Sequence, residues 1–321
     1  MNQSDNIRRN EIQSVFDRGT DSVKGSRKSV LIIYTGGTMG MKKGPDGSLS
    51  PVAGYLTEQI KYNFTEMQRE EMPRFEIIEY AKLLDSSCMG CEDWVSIVTD
   101  IENNYDKFDG FVVLMGTDTM AYTSSACSFM LEHLAKPVIF TGAQVPFCEV
   151  YSDARRNLLG AMIFAARNTF SEVCVFFDDK LLRANRTVKV NSSQLAAYES
   201  PNFPFLASIG AYVEEREELA LPMPTLPLVV HKSLEAKIIV LKLVPGFDDE
   251  SVYVLVEHSR NLKAIVFEMY GTGNGPSHKE VLIDAIKLAH TKGILCVALS
   301  QCLRGGVSLE SVSDHGMDIY A

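Results

Sequence analysis

From Ser29 onward, short apolar runs alternate with longer amphipathic stretches. Val30–Tyr34, Phe75–Tyr80, Gly110–Met115, Pro137–Thr141 and Val173–Phe177 are rich in Val, Ile and Phe with little polar alternation. Strands covered on both faces read this way. Between them, Tyr55, Leu56, Ile60, Phe64 and Met67 recur at helical spacing, as do Trp94, Ile97, Val98 and Ile101. Met120–Leu134 and Arg156–Ala166 complete the helical set. Strands alternating with helices predict βαβ units and a parallel sheet.

Pro222, Pro224 and Pro227 then crowd a stretch that neither a central strand nor a helix would tolerate. Beyond it a second series begins: strand Ala236–Leu241, helix Asp249–Arg260, strand Ala264–Tyr270, helix His278–Ala289 and strand Ile294–Leu299. The expected chain is therefore α/β throughout. A polar tail over 1–28 precedes a larger N-terminal doubly wound parallel-sheet domain over 29–217. A proline-rich linker over 218–232 leads to a smaller C-terminal α/β domain over 233–321.

Composition narrows the function classes. The 321 residues are 46% hydrophobic and 22% charged, which excludes a disordered or fibrous chain. A formal net charge of −10 argues against nucleic acid, which needs clustered Lys and Arg. No apolar run approaches the roughly 20 residues that cross a bilayer. The opening residues lack the apolar stretch of a signal peptide. Seven cysteines, an odd number scattered along the chain, read as reduced thiols and a cytoplasmic location.

In doubly wound sheets, ligands bind beyond the carboxyl ends of the strands, so the loops there are read for chemistry. After the first strand comes Tyr34-Thr35-Gly36-Gly37-Thr38-Met39-Gly40, where glycines permit close approach of the main chain. After Gly110–Met115 comes Gly116-Thr117-Asp118-Thr119, opening an apolar helix. Its side chains either cap that helix or face the cleft. Asp85-Ser86-Ser87 ends a third strand. Hydroxyls and carboxylates converging on one edge suit a small zwitterion, and a threonine nucleophile needs an activating group. On residue type alone, Lys189 is one cation among several in its segment. Cys88-Met89-Gly90-Cys91 lacks the second ligand pair of a zinc site, and no Gly-x-Ser-x-Gly elbow occurs.

Together with Thr141-Gly-Ala-Gln144, Asn185-Arg-Thr187, Ser200-Pro-Asn202, Tyr270-Gly-Thr-Gly-Asn-Gly-Pro276 and Gln301-Cys302, these blocks resemble the cytoplasmic, type I L-asparaginases in order and spacing. The resemblance implies conversion of L-asparagine to L-aspartate and ammonia through an acyl-threonine intermediate. It implies Thr38 as nucleophile, Thr117, Asp118 and Lys189 as its catalytic partners, and Asp85, Ser86, Ser87, Thr117 and Asp118 as substrate-binding residues. It implies neither metal nor organic cofactor, and a homodimer or homotetramer.

Three departures from the family pattern stand out. The lid stretch Lys42–Pro51 carries no tyrosine, the nearest being Tyr55. Glu268 stands where some bacterial type I enzymes use an arginine in a second asparagine site. The chain closes at Ala321, soon after Gln301-Cys302, so a shortened second domain with open apolar surface is expected. Two alternatives therefore accompany the asparaginase reading. One is a broader asparaginase/glutaminase. The other is a non-catalytic member that binds an amino acid or a full-length partner.

Overall fold

The computed structural model describes residues 27–276 and 278–308, and residues 10 and 11 by backbone. The rest of the tail, Ser277 and residues 309–321 lie outside the described residues. The chain divides into two units, 1–232 and 233–321.

In the first unit the apolar runs become the strands β1 (Ser29–Gly36), β2 (Arg74–Leu84), β3 (Gly110–Leu114), β4 (Val138–Thr141) and β5 (Val173–Phe177). They are parallel in the order β2-β1-β3-β4-β5. The sheet continues antiparallel through β6 (Lys180–Arg183) and then through two short strands at Ala207–Ile209 and Val213–Glu215. At its other edge, Asn10–Glu11 pairs antiparallel with Ile78–Glu79. Helices α1 (Cys91–Asn104), α2 (Met120–Met130) and α3 (Ala154–Ala165) cover the two faces.

Alternate residues of β1 enter two separate cores. Val30, Ile32 and Tyr34 pack with Leu158 and Ala161 of α3, whereas Leu31 and Ile33 pack with Ile97 and Ile101 of α1 and Met120 and Cys127 of α2. Each aliphatic or aromatic side chain so buried contributes about 1.5–3 kcal/mol relative to exposure. This explains the unalternating composition of the strand.

A short ribbon follows, in which β7 (Val188–Lys189) pairs antiparallel with β8 (Tyr198–Glu199), Lys189 lying opposite Tyr198. Then come β9 (Ala207–Ile209) and β10 (Val213–Glu215). In the second unit, β11 (Lys237–Lys242), β12 (Leu262–Met269) and β13 (Leu295–Ser300) form a parallel sheet in chain order. Helices α4 (Asp249–His258) and α5 (Glu280–Thr291) seat Val252, Val256, Leu282 and Ala285 against Ile265, Phe267 and Met269. On the opposite face Ile238, Val240, Leu295 and Leu299 are exposed.

Two sequence expectations are corrected. The helical pattern over Tyr55–Met67 is a single α-turn, Tyr55–Glu58, followed by a wide π-type turn at Gln59–Asn63 and a tight turn at Thr65–Gln68. Leu56, Ile60, Phe64 and Met67 nonetheless all reach the core. The helix expected over Met120–Leu134 stops at Met130. Leu131–Glu132 turns out to pair with Val229–Val230, a tertiary contact that overrides local propensity.

Candidate active site

In the sheet order β2-β1-β3-β4-β5, the chain direction of the crossovers reverses between β1 and β3. The crevice at that switch point is where doubly wound folds bind ligands. The loops leaving β1 and β3 carry Thr38 and Thr117-Asp118, respectively.

Glycine is required where these loops meet. Gly36 and Gly37 have φ of 134° and 90°. A Cβ on Gly37 would stand 2.3 Å from the Gly116 nitrogen, and one on Gly36 would stand 2.3 Å from the Leu84 carbonyl oxygen. A Cβ on Gly116 would come within 2.5 Å of Ser86 Oγ. The loops after β1, β2 and β3 therefore touch backbone to backbone, and the Gly37 amide donates to Leu84 O at 3.1 Å. Thr38 opens a single tight turn, Thr38–Gly40, and is half-buried at this junction.

Thr117 is the hub. Its hydroxyl donates to Gln144 Oε1 at 3.0 Å and accepts from Lys189 Nζ at 2.9 Å. The same ammonium donates to Asp118 Oδ1 at 2.7 Å. Thr117 is 6% exposed, and the Lys189 side chain is 16% exposed against 68% for Asp118. The pair thus runs from the interior to the exposed surface of the loop. Tyr198 OH donates to the Thr117 carbonyl, and burial, reinforced by the charge of Asp118, pushes its phenol well above the ordinary value. Because Lys189 and Tyr198 lie opposite each other in the ribbon, one element delivers both groups to Thr117.

The capping alternative for this loop is not realised. Thr119 occupies the N-cap of α2 without a side-chain cap bond; its hydroxyl donates to Ser86 O at 2.7 Å instead. Ser86 Oγ accepts from the Asp118 amide at 3.2 Å and is 2% exposed, so this residue stitches two loops together. Asp85 accepts from the Ser87 amide at 2.9 Å, and Asp85 and Ser87 are both exposed at the loop surface.

The stretch after Thr38 is a hairpin, Met41–Lys43 against Leu49–Pro51, held at both ends. At one end Phe147 N donates to Met39 O at 3.0 Å and Lys43 meets Glu149 at 2.6 Å. At the other, the buried Glu79 accepts from Gly54 N at 2.6 Å and from Thr57 Oγ1. Tyr55 opens the following turn, its ring 4.7 Å beneath the Lys42 ammonium.

Of the sequence candidates, Thr117, Asp118 and Lys189 are joined directly, and the loops carrying Thr38 and Asp85–Ser87 pack against theirs. Residue type alone left Lys189 one cation among several, and only the resemblance set it beside Thr117. The structure half-buries it, because ribbon pairing turns it inward. Gln144 and Tyr198 were missed as site residues, and only the block Thr141–Gln144 flagged the former. Among the described residues, no group of three or more His, Cys, Asp or Glu could hold a metal ion, and no helix is long and apolar enough to cross a membrane.

Fold and site together define an α/β protein with hydroxyls and carboxylates gathered on the loops at the switch point of its larger sheet. Residues 29–220 match the family described as Asparaginase, N-terminal, and residues 237–319 match the Glutaminase/Asparaginase C-terminal domain. The chain belongs to the asparaginase family. It is 42% identical to L-asparaginase 1 of Escherichia coli (strain K12), over 88% of this chain and 82% of that protein. It is 39% identical to an L-asparaginase of Dirofilaria immitis, over 87% of this chain and 51% of that one. The solved structure of L-asparaginase I from Vibrio cholerae O1 biovar eltor superposes with a TM-score of 0.82 at 40% identity, covering 89% of this chain and 85% of that chain.

Proposed function

We propose that this chain hydrolyses L-asparagine to L-aspartate and ammonia with Thr38 as nucleophile. The observation that carries the reading is the Lys189–Thr117–Asp118 network on the loop packed against that of Thr38. Thr38 Oγ1 attacks the side-chain amide carbon, the C–N bond breaks, and the hydroxyl proton leaves on ammonia. Water then attacks the β-aspartyl ester, releasing aspartate and restoring the threonine hydroxyl. Thr117, polarised by Lys189 and Asp118, orients the attacking hydroxyl or water in both halves. Backbone N–H groups near Thr117 are the donors for the oxyanion, each worth roughly 10²–10³ in rate. Asp118, Asp85, Ser86 and Ser87 hold the substrate's α-ammonium and α-carboxylate, Ser86 by fixing the loop. A homodimer or homotetramer and a cytoplasmic location complete this reading; they rest on the resemblance and the reduced-thiol composition.

Ammonia release by the purified chain tests it. Asparagine should turn over, and Thr38→Ala should abolish turnover. Glutamine should be the poorer substrate by about 10–200-fold in kcat/KM, the discrimination one methylene allows. Equal release by wild type and Thr38→Ala would overturn the nucleophile. Binding of aspartate without any turnover would favour the non-catalytic alternative.

A further inference from the structure

Gln144 has no role in the reaction described above, yet it makes the only contact to the Thr117 hydroxyl, among the described residues, that can take its proton. Lys189 as an ammonium has donors alone. The Gln144 amide has a carbonyl and an NH₂ end, and its surroundings decide which way it faces. Nε2 donates to the main-chain carbonyls of Ser192 at 3.3 Å and Gln194 at 3.1 Å. A flipped amide would set three carbonyl oxygens against one another and leave the NH₂ facing Thr117. Oε1 therefore points at the threonine.

The backbone beneath is equally fixed. Asp153 accepts from the amides of Gln144 and Val145, each at 3.0 Å. Asn157, itself buried, ties Asp153 to Gly142 O through Nδ2, at 3.1 Å and 3.0 Å. Ser192 and Gln194 belong to the loop between β7 and β8, the ribbon that carries Lys189 and Tyr198.

We infer that Gln144 is a positioning residue that sets the polarity of the Thr117 hydroxyl. With its proton on Gln144 Oε1 and one lone pair on Lys189 Nζ, Thr117 presents its second lone pair. It can thus accept a hydrogen bond from the attacking hydroxyl or water and hold it in line for attack, its own protonation unchanged. Without Gln144 the hydroxyl turns freely and can present its proton to the nucleophile instead. This deepens the asparaginase reading and rests on it.

The test compares Gln144→Met, similar in size but unable to accept strongly, with Gln144→Glu, which keeps an acceptor and loses the NH₂ donors. Gln144→Met should lower kcat by about tenfold, one neutral hydrogen bond's worth, with KM for asparagine within about twofold. Gln144→Glu should recover part of kcat, most at acidic pH, where a protonated carboxyl again donates to the loop carbonyls and accepts from Thr117. Wild-type kcat in Gln144→Met, a change confined to KM, or a Gln144→Glu enzyme as slow as Gln144→Met at every pH would each overturn the inference. Should Gln144→Met fail to fold, the acid-side recovery in Gln144→Glu decides alone. Thr38→Ala runs alongside: an inactive wild type counts against the asparaginase reading, whereas an active wild type with unaltered Gln144 variants counts against this one.

Discussion

At Lys189 a single ammonium serves a hydroxyl and a carboxylate at once, and its half-buried position strengthens both interactions relative to water. Lys189→Met should lower kcat by at least about 10²-fold, the scale of one lost preorganised charged donor, and change KM far less. A change confined to KM would remove its role in polarising Thr117. Tyr198 acts from the other side of Thr117. Because burial raises its phenol, the native state keeps this proton above pH 10, where an unfolded tyrosine releases it. Its contribution to stability is therefore present below pH 10 and declines as pH rises beyond it. Chemical denaturation should show wild type losing stability more steeply above pH 10 than Tyr198→Phe. At neutral pH Tyr198→Phe should cost about 1–3 kcal/mol, because the Thr117 carbonyl loses its donor. None of these partnerships was legible residue by residue. Thr117 and Lys189 lie far apart in sequence, and only the pairing of Lys189 with Tyr198 turns the lysine inward.

Elements were easier to read than the contacts between them. The parallel strands were visible because burial on both faces demands unbroken runs of Val, Ile and Phe. The helical pattern over Tyr55–Met67 breaks into three short turns, and the helix expected beyond Met130 gives way to a two-residue bridge with Val229–Val230. The loops were legible through their glycines, whose need is now a distance. Gly37→Ala would put a Cβ 2.3 Å from the Gly116 nitrogen at a φ of 90°. It should destabilise the protein by about 1–3 kcal/mol or more and separate the loops carrying Thr38 and Thr117. Thermal melting and ammonia release should therefore fall together. A variant with wild-type melting temperature and rate would show that the loops do not need this contact.

For the whole molecule, the two-series pattern of the sequence and the two compact units agree in kind, a large parallel-sheet unit and a small one. In the small sheet Ile238, Val240, Leu295 and Leu299 are exposed, an unusual condition for parallel strands. Light scattering should return a mass of at least twice the 35.6 kDa chain, as the proposed oligomer requires. A monomer at micromolar concentration would count against it. The remaining question is which threonine carries the acyl group, since Thr38 and Thr117 occupy adjoining loops at one switch point. Peptide mapping by mass spectrometry, on enzyme acid-quenched during turnover of asparagine, answers it most directly. The account predicts a β-aspartyl ester on the peptide containing Thr38, and an ester on Thr117 or on any other peptide would contradict it.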